Sequence, residues 1–276
     1  MHRSNGGYTI VEIMIFLSVS AVIFIMATLV FQGQQGKTQF EQGMHDLASQ
    51  LQLYVDQVST TIFSGSQYSC STQNSAGRAK LSSSGGTGTG TNQDCIFLGR
   101  AIQVIPNQSK IFIYSVLGNA TSNGDAVTSF AGSLPEPAIP DPTTHQGPDL
   151  TEEYDLPWGT VKSGSSTITY AAGGTTNSDL VSFYNSLQDG YQSSGAGGGQ
   201  SITARGYNWP DSSSTLASVR GPDLKNCLEE QGSCANTQAI STWTICFVSA
   251  GSSQTARLEI ASTPAGITTN TNFTSC

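Results

Sequence analysis

One run of residues limits what this chain can become. From Tyr8 to Phe31, 24 residues pass with a single charge, Glu12. At about 1.5 Å per residue, an α-helix of that length spans the ~30 Å hydrocarbon core of a bilayer. An ordinary secretory signal has a shorter apolar stretch, roughly 7–15 residues, followed by a small-residue cleavage site. Neither feature fits here. The only basic residue before the run is Arg3, and the next cation is Lys37. That asymmetry keeps the N-terminus on the cytoplasmic side and sends the C-terminal bulk across.

Glu12 is the anomaly in the run. A carboxylate in a spanning helix costs about 2.5–3.5 kcal/mol on the mild insertion scale. No partner for it exists within the run. One reading is a charge tolerated near the membrane edge. The other is that a positive group arrives from elsewhere.

The helix is not expected to end at Phe31. Phe40, Met44, Leu47, Leu51, Tyr54 (or Val55), Val58 and Ile62 recur at steps of three and four, which is a helical stripe. Gln39, Glu41, Gln42, Asp46, Gln50, Gln52 and Asp56 occupy the other faces. One helix from residue 8 to about 61 follows, roughly 80 Å long. Its first half is apolar all round and its second half is amphipathic. Gly33, Gly36 and Gly43 lie near the junction. Each costs about 1 kcal/mol relative to Ala, so a bend or local fraying is expected there.

The segment Gly6-Gly7-Tyr8-Thr9-Ile10-Val11-Glu12 resembles the processing site of type IV prepilins and pseudopilins, a class III-type signal. The resemblance covers roughly residues 1–60. It implies cleavage after Gly7 by a membrane peptidase and methylation of the new terminal amine on Tyr8. It also implies that Glu12 pairs with the terminal amine of a neighbouring subunit, which would supply the missing cation. The family's first mature residue is most often Phe; here it is Tyr8. Many major pilins carry Gly and Pro inside the apolar segment, whereas residues 8–31 contain neither, so mid-helix melting is not expected. The resemblance divides the chain into a cleaved leader (1–7), a hydrophobic helix serving as membrane span and filament core (8–32), an amphipathic half (33–62) and a globular β-rich domain (63–276). It implies a pilin fold: an α+β chain whose long helix packs on an antiparallel sheet with inserted loops. The implied partners are other copies of the chain or other pilins in a helical filament, the prepilin peptidase, an inner-membrane assembly platform, and the membrane before assembly. The implied location is a single-pass membrane protein that becomes an extracellular filament. A minor pilin using loops 132–158 and 190–215 for adhesion, or a pseudopilin of a secretion or DNA-uptake machine, would share the same N-terminal chemistry.

Beyond the helix the cysteines matter most. Cys70, Cys95, Cys227, Cys234, Cys246 and Cys276 are even in number and absent from the first quarter. This suits disulfides in an oxidising compartment. Six cysteines allow fifteen connectivities; neighbour pairing gives Cys70–Cys95, Cys227–Cys234 and Cys246–Cys276. No C-x-x-C pair occurs, and the three histidines lie far from the cysteines, which argues against zinc.

Cys95–Ile105 and Lys110–Leu117 read as two antiparallel strands around Pro106. Thr167–Ala171 reads as a short strand. Trp243–Ser249 and Ala256–Ala261 read as a hairpin joined around Gly251. Ser178–Leu187 reads as a capped amphipathic helix stopped at Gly190, and Pro222–Gln231 as a short helix ending at Gly232. Residues 132–158 read as an irregular excursion rich in proline. Its acids, including Asp141, Asp149, Glu152, Glu153 and Asp155, make calcium conceivable, but the EF-hand spacing is missing.

Net charge is −8 and Lys and Arg do not cluster, so the electrostatic footprint of a nucleic-acid binder is missing. The glycines of Ser82–Thr91 miss the phosphate-loop spacing. His2, His45 and His145 are scattered, and neither H-E-x-x-H nor G-x-S-x-G occurs. The sequence points to no catalytic residue, no metal and no cofactor.

Overall fold

The computed structural model describes residues 9–59, 69–71, 77–82, 95–122, 125–127, 129–140, 149–185, 202–209, 222–231, 234, 238–250, 254–263 and 266–276. Helix α1 runs from Ile10 to Ser59, 50 residues without a break, or about 75 Å. The break expected near the glycines is not there: the backbone stays helical through Gly33, Gly36 and Gly43. Gly43 has a use in this position. A Cβ there would lie 3.0 Å from both Pro157 Cγ and Trp158 Cδ1, so its lack of a side chain lets a loop close onto the helix.

The apolar stripe of α1 decides the rest. Phe40, Met44, Leu47, Leu51, Val55 and Val58 are all buried. At about 1.5–3 kcal/mol each, these six contribute on the order of 10 kcal/mol of transfer free energy. They face two antiparallel sheets, so the chain is α+β. The first sheet holds β9 (Thr160–Lys162), β10 (Thr167–Tyr170), β11 (Thr175–Asn177), β14 (Ile240–Ser249), β15 (Thr255–Thr263) and β16 (Gly266–Asn272), in the order β11-β10-β14-β15-β16 with β9 also on β14. The second holds β3 (Cys95–Val104), β4 (Lys110–Asn119), β7 (Glu136–Pro137), β8 (Thr151–Asp155), β12 (Leu180–Asn185) and β13 (Ile202–Gly206). Its order is β13-β12-β3-β4-β7, with β8 also on β4. Two short ladders stand apart: β1 (Ser69–Ser71) with β2 (Lys80–Ser82), and β5 (Thr121–Ser122) with β6 (Asp125–Ala126).

Ile168, Trp243, Ile245, Phe247, Leu258 and Ile260 of the first sheet join Ile102, Ile113, Val181 and Phe183 of the second around the helix stripe. The second sheet is buried on its other face too. There Phe112, Tyr114 and Tyr184 meet Phe130, Tyr207, Trp209 and helix α2 (Pro222–Leu228) through Leu224 and Leu228.

The β3–β4 hairpin pairs Cys95 with Asn119 and Val104 with Ile111, with a bulge between Phe97 and Gly99. It and the β14–β15 hairpin lie where the alternation placed them, although residues 251–253 at the Gly251 turn are outside the described residues. The described part of Ser178–Leu187, residues 178–185, is not a helix: Leu180–Asn185 form strand β12, and all six of its residues are buried. A strand covered on both faces shows a continuous apolar run, which periodicity cannot tell from a buried helix. Ser178 caps nothing helical. Its hydroxyl accepts the Leu180 N–H at 3.2 Å, while Asp179 pairs with the buried Lys162 at 2.6 Å. The described parts of 132–158, residues 132–140 and 149–158, include strands β7 and β8, and β8 alternates: Tyr154 donates to Asp46 of α1 at 2.7 Å, and Glu153 takes Lys110 at 2.9 Å. Charges on such an edge strand discourage further pairing.

Cys227 is bonded to Cys234 and Cys246 to Cys276, with Cα separations of 5.5 and 6.0 Å. Cys95 is disulfide-bonded as well; the Cys70 half of the Cys70–Cys95 pairing lies outside the described side chains.

Two glycines give a contrasting test. Nothing lies within 4 Å of a Cβ added at Gly36. Gly36→Ala should therefore stabilise the full chain in detergent by up to about 1 kcal/mol. Gly43→Ala should be neutral or destabilising, because Pro157 and Trp158 occupy the space. Equal gains at both sites in thermal melts would remove the seat assigned to Gly43.

Candidate assembly surface

The first half of α1 lies outside both cores. Ile10–Thr28, 19 residues, is long and apolar enough to cross a membrane, and none of it is buried. A signal sequence presents the same pattern. The large side chains from Ile10 to Met26 point outward all round, which in water would be a heavy cost. Two hydroxyls in this stretch bond back to the helix itself. Ser18 donates to the Ile15 carbonyl and Thr28 to the Ile25 carbonyl, both at 2.8 Å.

Thr9 starts the helix. Its carbonyl accepts the Ile13 N–H at 3.2 Å, and its hydroxyl accepts the Glu12 N–H at 3.3 Å. Thr9 and Glu12 thus have the spacing of a capping box. The T-x-x-E pattern in the sequence is a signal for a helix start at this point. Among the described residues no cation lies against the Glu12 carboxylate. Gly7 and Tyr8, on which the processing expectation rests, lie outside the described residues.

Where α1 enters the globular part, polar contacts set its depth and rotation. The Tyr154 hydroxyl is held on Asp46, and its pKa is driven up by burial and by that hydrogen bond. Arg100 bonds Glu152 at 2.6 Å and lies 5.2 Å above the Tyr54 ring. Gln52 donates to the Ile267 carbonyl at 3.1 Å, and Thr269 to the Ala48 carbonyl at 3.2 Å. These contacts fix which face of the lower helix looks outward.

The acids considered for calcium are spent on other bonds. Glu152 pairs with Arg100, Glu153 and Asp155 with Lys110, and Asp149 accepts the Thr151 N–H at 3.0 Å. Asp141 is outside the described residues. Among the described residues no three His, Cys, Asp or Glu converge on a metal-sized space. His45 is exposed on α1, edge-on to Phe273. The loop residues 190–201 and 210–215, considered for adhesion, are also outside the described set.

One titratable cluster stood out only in three dimensions. Lys225 of α2 lies between Glu136 and Glu229, and Arg78 approaches Glu229 at 3.9 Å. Burial pushes the Glu136 carboxyl up to about 7 against the pull of Lys225, with Glu229 acting in the same direction as burial. The cluster docks α2 and is far from the exposed helix in sequence. No signal in the chain linked residues 78, 136, 225 and 229.

No family model matches the chain, and neither a curated protein nor a solved structure matches it at a significant level.

The Glu136 carboxyl gives a signed pH prediction. Its folded pKa lies above the ordinary 4.5. It therefore adds stability below about pH 4.5, and that contribution is lost as pH rises toward about 7. Glu136→Gln cannot titrate. Its melting temperature, relative to the parent, should rise across that window. Parallel melting-versus-pH curves for the two proteins would sink this assignment.

Proposed function

We propose that this chain is a structural subunit of a type IV pilus-like extracellular filament, processed after Gly7 and assembled through α1. One observation carries the reading. A single unbroken helix joins a fully exposed apolar half, bearing the lone charge Glu12, to a half keyed between two sheets. Such a helix is a membrane span in storage and a filament core in use. The N-terminal Gly7-Tyr8…Glu12 pattern supports the same reading, as do disulfides in the globular part and the lack of any catalytic constellation in the sequence.

In the proposed mechanism, a membrane peptidase exposes and methylates the Tyr8 amine. That ammonium then pairs with Glu12 of an adjacent subunit. In a low-dielectric bundle the pair is strong, while an unpaired carboxylate is costly. Helix-to-helix contacts between non-equivalent surfaces that do not close on themselves propagate into a fibre rather than a ring. A minor pilin is the second reading. It is favoured by the extra layer over the second sheet, built from α2, the Cys227–Cys234 bridge and Trp209, which a filament core does not need.

Glu12→Ala should be cleaved at a near-normal rate yet assemble slowly or not at all. Mass spectrometry of the N-terminus should find Tyr8 first and methylated in both parent and variant. Filament yield is read by electron microscopy and sedimentation. Wild-type yield from the variant would remove the ion-pair mechanism, and an intact Met1 on assembled chains would remove the processing step.

A further inference from the structure

Outside Ile10–Met26, the large hydrophobic side chains that remain exposed among the described residues are Leu53 (49%), Trp158 (56%) and Phe273 (38%). All three belong to or border the second half of α1. Leu53 is on the helix. Trp158 lies over Gly43, with Cδ1 at 3.0 Å from the place a Cβ would take. Phe273 stands edge-on to Phe40 and His45, with ring centroids 6.4 and 5.5 Å away. On a helical wheel Gly43 and His45 lie on opposite flanks of the outward face that carries Gln42, Ser49 and Leu53. The two aromatics thus stand on either side of one exposed helical face, at one level of the axis.

Trp158 is held there under strain. Its φ and ψ are 57° and 35°, inside the 3-10 turn Pro157–Gly159. A left-handed conformation costs a non-glycine residue about 1–3 kcal/mol and persists only where the surroundings impose it. Here the fold spends that energy to display an indole in solvent. The seat of the Pro157–Gly159 turn on Gly43 sets this backbone, and it leaves more than half of the residue exposed.

The occupant is not lipid. The apolar run of the sequence ends at Phe31, and Phe40 lies nine residues further on, or about 13 Å along the axis. The interfacial zone of a bilayer extends only about 5–8 Å beyond the hydrocarbon. The surface with matching chemistry is on every copy of this chain: the exposed first half of α1.

We infer that Trp158 and Phe273 form an aromatic collar that receives the apolar first half of α1 from a second copy. This rests on the filament reading and adds the acceptor surface to it. Donor and acceptor are different patches of one chain, separated by about 36 Å along α1 between residue 19 and Gly43. The contact is therefore head-to-tail and self-propagating.

The test uses the full chain in cells. With p-benzoylphenylalanine in place of Trp158, irradiation should give chain-to-chain adducts that map to residues 9–28 of the second copy. Adducts confined to lipid or to the same chain, in cells whose wild-type chain makes filaments, overturn the collar and leave the filament reading standing. Trp158→Gly separates contact from support, because glycine accepts the left-handed backbone. Its melting temperature in detergent should be unchanged or higher, while filament yield falls at least tenfold. Wild-type yield overturns the collar. Loss of yield together with a lowered melting temperature also overturns it, by making Trp158 a folding residue. If the wild-type chain forms no filaments under any condition that processes it, the filament reading fails and the collar fails with it.

Discussion

The burial of one helical stripe governs this molecule. Phe40, Met44, Leu47, Leu51, Val55 and Val58 occupy the space between two sheets, and no other element of the described chain touches both halves of the core so extensively. Because α1 is continuous, this packing also sets the direction in which Ile10–Thr28 leaves the globular part. An amphipathic half anchors an apolar half that has nothing of its own to pack against. The glycines at the junction do not loosen that coupling. Gly43 tightens it, by letting Pro157 and Trp158 approach the helix.

Around the stripe, charged pairs act as keys more than as glue. Lys162 of β9 and Asp179, just ahead of β12, meet at 2.6 Å between the two sheets, almost without exposure. Removing two charges from water costs several kcal/mol each, so such a pair adds little net stability, yet losing one member costs about 3–5 kcal/mol. Its effect is to disfavour any other juxtaposition of the sheets. Arg100 with Glu152, and Tyr154 with Asp46, do the same for the rotation of α1. On the proposed filament reading that precision matters, because an error in helix direction would accumulate along the fibre.

Much of this was legible in the chain. The α1 stripe, the β3–β4 and β14–β15 hairpins and the short helix at Pro222 follow from period and turn residues. β12 was misread, since Leu180, Val181, Phe183 and Tyr184 are buried on both faces and mimic a helix start after Ser178-Asp179. β16 was missed because Ile267 is its one buried residue and Thr and Asn fill the rest. β8 was hidden by its acids, whose partners Lys110 and Arg100 lie more than forty residues away in sequence. Trp158 could not be singled out at all: its exposure and its backbone strain arise from how Pro157 and Gly159 seat the turn on Gly43. In each failure the deciding contact was distant in sequence. The assembly surface was the reverse case, since an apolar run with one carboxylate is visible without any partner.

Helix capping is the simpler role for that carboxylate. Glu12 is in the first turn of α1, after a Thr9 cap. A negative charge there gains from the helix dipole, by about 0.3–1 kcal/mol at exposed sites and up to about 2 in favourable buried ones. Insertion of the same charge into a membrane helix costs about 2.5–3.5 kcal/mol. Capping therefore offsets only part of the cost, and neutral Gln at the same position would cap with far less penalty. The remainder needs a cation that the described chain does not place near Glu12. A terminal ammonium created at Tyr8 by cleavage is chemically suited to the task and positioned one helical turn away along the sequence. In the proposed filament, pairing across subunits would neutralise Glu12 where the apolar halves are brought together. On the proposed reading, the same residue is tolerated in the stored subunit and favourable in the assembled one, and that difference in free energy would drive addition to a growing end.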